Sequence, residues 1–270
     1  MLPPSRPRVI LPSYRMLRLE LVETAERDDG QYLQLTLLGR ACGRSGLTFE
    51  SAMRLVELLR RLRPEDLTPE RLMASLQILP ESDGGYTPVM RRGRAESVRP
   101  QQAAARYGGD VVRMLQAGAQ DEFDYFARCK RAAILWDWIT GVPVEEIEQR
   151  FTTTPFQGRI GRGDILRFAD ATRFHLRSAH QIANALYVGA GPSEQSVETL
   201  LRQLETGLPR DAVGLLELPV RLDRGAYLAL YGAGLRTVQD VAEASPTVVK
   251  DLLGANASAV RPELATPKAG

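Results

Sequence analysis

Hydrophobic and polar residues alternate along the first part of the chain. Residues 17–23 follow a period of two, and the same period returns at residues 32–37 after a polar, Asp/Gly-containing turn at 26–30. This pattern is typical of a β-hairpin. Because two strands alone are marginally stable in water, we expect the hairpin to pack against other elements. Residues 39–46, which begin and end with glycine, predict a short joint after the hairpin.

From Thr48 onward the apolar residues recur every three or four positions, which is typical of amphipathic helices. Proline and glycine residues divide this region into separate segments. We predict helices at about 48–62, 68–79, 102–117, 119–139, 143–151, 164–188 and 193–205. Residues 81–102 are expected to form a loop, residues 207–254 a compact helical unit, and residues 255–270 a disordered tail. The predicted fold class is therefore mainly α.

The composition is that of an ordinary globular protein. The chain has 270 residues, of which 44% are hydrophobic and 25% are charged. It lacks an apolar run long enough to cross a bilayer, and its first residues lack the apolar segment of a signal peptide. We therefore expect a cytoplasmic protein without a membrane partner, in which Cys42 and Cys129 are free thiols.

The positive charge is carried almost entirely by arginine. The net charge is only +2, but just three of the 35 basic residues are lysine: Lys130, Lys250 and Lys268. Arginine is suited to bidentate phosphate contacts and to stacking on bases. The composition therefore permits a nucleic-acid partner without requiring one.

The common signatures of catalysis are missing from the sequence. No glycine is followed by lysine, so there is no GxxxxGK[ST] phosphate loop, and the glycine-rich residues 158–163 predict a helix lead-in capped by Asp164. His175 and His180 diverge by about 140° on a helix and cannot share a metal ion. The acidic clusters 121–124 and 145–148 are interpreted as helix ends. We predict no catalytic residue, metal site or cofactor, and so no enzyme activity for this chain alone.

Four segments carry distinctive motifs. They are L-T-L-L-G-R at 35–40, C-K-R-A-A-I-L-W-D-W-I followed by G-V-P at 129–143, G-D-I-L-R-F-A-D opening 163–183, and L-Y-G-A-G-L-R-T-V-Q-D-V at 230–241. In this order and spacing they resemble the C-terminal part of superkiller-type superfamily 2 helicases. The similar branch holds the archaeal fork-repair helicases and their animal meiotic relatives. The resemblance covers residues 17–254.

The resemblance implies an ATP-dependent helicase with two RecA-like motor domains, a winged helix, a helical ratchet bundle and a helix-hairpin-helix domain. Residues 1–47 would then be a winged-helix remnant, 48–206 the ratchet bundle and 207–254 the helix-hairpin-helix-like domain. The motor domains have no counterpart here, so the chain is expected to be a fragment or a separate subunit. ATP and magnesium would act only through motor domains in cis or in a partner subunit.

Residues 164–188 resemble the start and course of the ratchet helix. On a helical wheel one side carries an apolar stripe: Ile165, Ala169, Thr172, Leu176, Ala179 and Ala183. Arg167 and Phe174 lie two turns apart on the opposite side. The resemblance implies that these two residues contact single-stranded DNA, with Phe174 in place of the family's tryptophan. The wheel alone leaves open that Phe174 is a core residue.

Further arginines are candidate phosphate contacts. They are Arg159, Arg162, Arg173 and Arg177 around this helix, and Arg221, Arg224 and Arg236 in the C-terminal unit. An ordinary solvated surface is the alternative interpretation. Asp223 occupies the place of a hairpin glycine in the resembled domain, and an acid there disfavours phosphate, so a structural or protein-docking role is an equal alternative. Trp136 and Trp138 are expected to be packing residues.

The sequence therefore predicts a non-catalytic module that binds and guides single-stranded DNA or RNA as part of an ATP-dependent helicase. The alternative is a protein-interaction module of the same fold that docks a helicase motor or a nuclease.

Overall fold

The chain forms helices and one small sheet. A computed structural model describes residues 10–27, 30–83, 86–90, 94–153 and 158–261. Its fold is mainly helical with one two-stranded antiparallel sheet, as the sequence predicted. None of the helices in these ranges combines the length and the apolar content of a membrane span.

The N-terminal segment begins with helix α1 (Ile10–Arg18), followed by strands β1 (Val22–Arg27) and β2 (Gly30–Leu35). The strands pair with Val22 opposite Leu35. The prediction of a strand from residue 17 is wrong, because residues 17–18 end α1 and Glu20 reverses the chain with a φ of +56°. The alternation of residues 19–21 thus comes from a turn that buries Leu19 and Leu21. The tip of the predicted turn, residues 28–29, lies outside the described residues.

Helix α2 (Leu37–Arg44) occupies most of the segment that was predicted to be a joint. The Thr36 hydroxyl accepts a hydrogen bond from the Gly39 amide at 3.0 Å and donates one to the Glu20 carbonyl at 2.6 Å. This N-cap starts the helix directly at the end of β2. Gly39 then lies against the Leu21 backbone, where a Cβ atom would be 1.8 Å from the carbonyl oxygen. Glycine is present for close packing rather than for flexibility.

Within the described residues, the central bundle contains nine α-helices. They are α3 (Phe49–Leu59), α4 (Pro69–Ser75), α5 (Arg94–Ser97), α6 (Arg99–Tyr107), α7 (Gly109–Ala117), α8 (Glu122–Ile139), α9 (Val144–Phe151), α10 (Arg162–Leu186) and α11 (Glu194–Thr206). Side chains at Thr48, Thr68, Asp121 and Ser193 cap α3, α4, α8 and α11. The single helix predicted at 102–117 is divided at Gly108, whose φ is +93°. The predicted loop at 81–102 contains α5 and the first turn of α6.

Helix α8 lies at the centre of the bundle and carries buried charges that the sequence analysis did not foresee. Lys130 is fully buried, and its Nζ donates to Glu96 at 2.9 Å and to the Pro88 carbonyl at 2.6 Å. Burial lowers the pKa of Lys130, and the neighbouring Glu96 opposes this shift. Arg131, also buried, donates to Thr87 at 3.2 Å. These contacts hold Thr87, Pro88 and Glu96 against α8, because a buried cation requires a partner.

The C-terminal unit has a separate hydrophobic core. A 3₁₀ segment (Arg210–Glu217) leads into α12 (Arg224–Gly232), α13 (Val238–Glu243), α14 (Pro246–Leu253) and α15 (Ala257–Val260). The prediction of disorder from residue 255 is wrong as far as Val260, because Ala257 and Val260 are buried in this core. Residues 262–270 lie outside the described residues. A larger core extends from Leu19 to Leu204 and includes the buried residues beside the hairpin.

Candidate nucleic-acid interface

Helix α10 is the longest helix of the described chain, and one side of it is buried in the bundle. The six residues of the predicted apolar stripe are each at most 1% exposed: Ile165, Ala169, Thr172, Leu176, Ala179 and Ala183. Thr172 belongs to this stripe because its hydroxyl accepts a hydrogen bond from Gln77 at 3.0 Å. The predicted stripe is therefore confirmed.

Phe174 projects from the opposite side of α10 and is 72% exposed. Its ring meets the His175 ring edge-on, with 5.0 Å between the centroids. The alternative that Phe174 is a core residue is therefore wrong. An exposed phenylalanine offers a flat apolar face to which a nucleobase can stack.

Three predicted arginines lie on α10 outside its buried stripe, as Phe174 does. Each forms an ion pair with N···O distances between 2.6 and 3.4 Å: Arg167 with Asp164, Arg173 with Asp170 and Glu205, and Arg177 with Glu198. Such surface pairs contribute about 0–1 kcal/mol each, so a phosphate can displace the carboxylate at small cost. Arg167 and Phe174 thus share one side of α10, and Arg173 and Arg177 lie between that side and the edge of the helix that faces α11.

Arg159 and Arg162 lie before and at the start of α10, and both are exposed. The Glu148 carboxylate accepts the Arg162 backbone N–H at 2.7 Å, and Asp164 accepts the Gly161 N–H at 3.0 Å. Asp164 is thus the third residue of the helix rather than its N-cap, a correction to the prediction. The two carboxylates stabilise the positive end of the helix dipole.

A cleft of about 1090 Å³ separates the start of α10 from the C-terminal unit. Its lining contains four arginines and four acids: Arg162, Arg202, Arg221, Arg224, Glu145, Glu205, Glu217 and Asp223. The formal charges of the lining cancel. The cleft also has apolar walls, among them Leu166 and Tyr227. It therefore lacks the positive charge that typically marks a nucleic-acid groove.

Arg224 occupies this cleft as a structural residue. It donates to the Gly207 carbonyl at 2.9 Å and to the Val142 carbonyl at 2.8 Å, and it stacks over the Trp138 ring at 4.3 Å. Burial lowers its pKa to about 10. With its donors directed at these carbonyls, Arg224 is not available to hold a phosphate, which corrects the prediction.

The other hairpin residues have simpler environments. Asp223 accepts the Ala226 N–H at 2.9 Å and so caps α12, which accounts for an acid at this position. Arg221 is exposed at the mouth of the cleft. Arg236 lies 3.8 Å from Asp211 and stacks over Tyr231 at 5.6 Å.

The two tryptophans pack inside the molecule, as predicted. Trp138 is 3% exposed and donates from Nε1 to the Leu204 carbonyl at 2.8 Å. Trp136 is half-buried and meets Tyr107 edge-on, with ring centroids 5.5 Å apart.

Helix α2, whose C-terminal end adjoins Phe174 through Gly46, exposes two arginines that were not predicted to be phosphate contacts. Arg40 and Arg44 lie on its solvent face. The segment was taken for a joint because of its glycines. The spacing of the residues could have indicated an amphipathic helix. Arg40 and Arg44 are four residues apart, and the apolar residues Leu38, Ala41 and Cys42 lie on the other face.

The described residues contain no group of three or more His, Cys, Asp or Glu side chains placed to bind a metal ion. His180 is engaged by the Pro192 carbonyl at 2.8 Å and by Asn184 at 3.0 Å. Burial raises the pKa of the Cys42 thiol to about 11 and that of Cys129 to about 12. Neither thiol is activated toward nucleophilic chemistry.

The sequence is similar to archaeal helicases. It is 29% identical over 141 residues to ATP-dependent DNA helicase Hel308 of Pyrococcus horikoshii, covering 52% of this chain and 18% of the relative. The same-named helicase of Pyrobaculum calidifontis is 27% identical over 237 residues, covering 87% and 30%. That of Thermococcus kodakarensis is 30% identical over 132 residues, covering 48% and 10%. No protein-family model matches the sequence.

The chain thus spans less than a third of the length of these curated relatives. This similarity supports the interpretation, first drawn from the sequence motifs, that the chain is related to part of a helicase.

Proposed function

We propose that this chain binds single-stranded nucleic acid as the non-catalytic, C-terminal module of an ATP-dependent helicase. The observation that carries the proposal is Phe174, an aromatic ring 72% exposed in the middle of a helix that also carries Arg167, Arg173 and Arg177 outside its buried stripe. In this proposal α10 acts as the ratchet helix that guides the strand. The similarity to enzymes named DNA helicases favours DNA over RNA.

Binding would combine one stacked base with phosphate contacts from arginine. Stacking on an aromatic side chain contributes about 1–3 kcal/mol per base and does not depend on sequence. Three arginines would exchange their carboxylate partners for phosphates: Arg167, Arg173 and Arg177. The positive surface would extend toward the start of α10 through Arg159 and Arg162. Arg221 is the remaining candidate contact in the C-terminal unit. We therefore expect weak binding that decreases as salt concentration rises.

RecA-like motor domains, in the same longer chain or in a partner subunit, would supply ATP hydrolysis with magnesium. Residues 1–47 would be the remnant of a winged helix next to them. The C-terminal unit would be a helix-hairpin-helix-like domain, held on the bundle by Arg224.

A second candidate function is the docking of a protein partner such as the motor or a nuclease. The cleft between the bundle and the C-terminal unit favours it, because its charges cancel and its walls are partly apolar. Protein interfaces commonly combine an apolar centre with paired polar groups. The two functions use different surfaces and are compatible.

Fluorescence anisotropy with labelled single-stranded DNA, single-stranded RNA and duplex DNA tests the main proposal. Phe174→Ala should weaken single-strand binding by roughly 5- to 150-fold, the equivalent of one lost stack. Tyr14→Ala is the matched control, because Tyr14 is also an exposed aromatic, 63% accessible, but lies on helix α1. The proposal fails if the chain does not bind single strands even at low salt. It fails equally if both variants bind like the wild-type chain.

A further inference from the structure

Helix α2 has one face in the core and one in solvent. Leu38 and Gly39 are buried, and Ala41 and Cys42 are half-buried against the bundle. The opposite face exposes Arg40 and Arg44. Residues four apart on a helix have Cβ atoms about 5–6 Å apart, so the two guanidinium groups extend from neighbouring points of one surface.

The end of α2 lies next to Phe174. Gly46, two residues after Arg44, lies beside the phenylalanine, since a Cβ atom there would be at ordinary contact distance, 3.6 Å, from its Cε1. The Gly46 amide also donates to the Ser178 hydroxyl, one turn further along α10, at 3.3 Å. The two contacts fix the α2 terminus beside the exposed ring. The Arg44 side chain therefore starts within reach of any molecule that covers Phe174.

These two arginines differ from Arg167, Arg173 and Arg177 of α10 in their ion pairing. Within the ranges that the structure describes, Arg40 and Arg44 have no ion pair and no hydrogen bond to a carboxylate, whereas Arg167, Arg173 and Arg177 are all paired. A phosphate that binds on α2 displaces water and leaves no carboxylate unpaired. The most available positive charge near Phe174 thus lies on α2.

We infer that Arg40 and Arg44 bind two backbone phosphates of the strand whose base stacks on Phe174. The single-strand site then lies across the junction of α2 and α10 rather than along α10 alone. Gly46 lies at the junction, beside a ring that is 72% exposed and can therefore stack on a base. This inference rests on the proposed function and specifies where on the surface the strand is held.

The salt dependence of binding tests the inference. On a single strand each neutralised phosphate contributes about 0.7 to the slope of log K against log salt. The variant Arg40→Ala/Arg44→Ala should therefore lose about 1.4 from the slope. Between about 50 and 200 mM salt, wild-type affinity should fall about sevenfold more than that of the double variant. Arg40→Lys/Arg44→Lys retains the charges and should retain the slope.

Arg113→Ala is the matched control, because Arg113 is exposed on α7, which packs chiefly against α6 and α8. It should leave the slope unchanged while removing one positive charge. The inference is overturned if the double alanine variant keeps the wild-type slope while Phe174→Ala loses affinity, and the proposed function then still stands. If the wild-type chain does not bind single strands, both fail. A slope that drops only for duplex DNA would also overturn it.

Discussion

The guanidinium group of Arg224 lies 4.3 Å above the ring of Trp138 and links the two hydrophobic cores of the chain. Arg224 is the first residue of α12, whereas Trp138 belongs to the central helix of the bundle. The same guanidinium hydrogen-bonds the carbonyls of Gly207 and Val142, so it contacts the connecting segment as well as both units. One side chain thus contributes several of the directional contacts that hold the C-terminal unit in place.

Replacement of Arg224 by alanine should therefore loosen the C-terminal unit. Loss of charged hydrogen bonds to buried carbonyls costs roughly 1.5–3 kcal/mol. We expect earlier unfolding in a denaturant titration and faster protease cleavage near residue 207. Arg221→Ala removes the same charge from an exposed position in the same cleft and should change stability by no more than about 0.5 kcal/mol. Equal stability of the two variants would show that Arg224 does not hold the unit.

Gly39 and Gly43 provide a matched pair within α2. Alanine is favoured over glycine in a helix by about 1 kcal/mol, and a Cβ atom added at Gly43 would meet no other atom within 4 Å. Gly43→Ala should therefore raise the melting temperature slightly. Gly39→Ala should lower it, because overpacking against the Leu21 carbonyl costs about 1–3 kcal/mol and outweighs the helical gain. If Gly39→Ala melted at the same temperature as Gly43→Ala or higher, the close packing of α2 against the Leu21 backbone would be contradicted.

Trp138→Ala should destabilise the chain by roughly 3–5 kcal/mol, the usual cost of deleting a buried tryptophan. It removes the hydrogen bond to Leu204 and the surface on which Arg224 stacks. Thermal melting measures the effect. An unchanged melting temperature combined with lost nucleic-acid binding would mean that Trp138 contacts the ligand instead.

His175 should make stability depend on pH. It is 6% exposed, and burial lowers its pKa below the usual value, with Glu81 opposing the shift. Below about pH 6.5 the unfolded chain therefore binds more protons than the folded chain, and stability is lost as pH falls toward the folded pKa. Acidification from about pH 7.5 to about pH 5.5 should lower the melting temperature more for the wild type than for His175→Gln. Parallel curves for the two proteins would refute this contribution.

The sequence predicted α10 well, because a regular apolar stripe over about five turns leaves little ambiguity. The wheel placed Phe174 opposite that stripe, but it could not show whether another element covers the opposite side. That depends on how α2 and α11 pack beside α10, a long-range property. Exposure of Phe174 was therefore settled only by the fold.

The errors have similar physical causes. Residues 17–22 alternate like a strand, yet a helix end and a turn at Glu20 bury Leu19 and Leu21 and leave Leu17 exposed. The burial of Lys130 was not predicted, because its partner Glu96 lies 34 residues earlier in the chain. Arg224 was predicted to be a phosphate contact because charge is visible in sequence, whereas the carbonyls that it binds are not.

The position of the two tryptophans has a practical consequence for observing this molecule. Both lie on α8, but only Trp138 adjoins Arg224, while Trp136 lies against Tyr107. Any displacement of the C-terminal unit would admit water to one indole and leave the other in place. Intrinsic fluorescence, with Trp136→Phe to isolate the signal, would therefore follow that displacement in real time without an added dye.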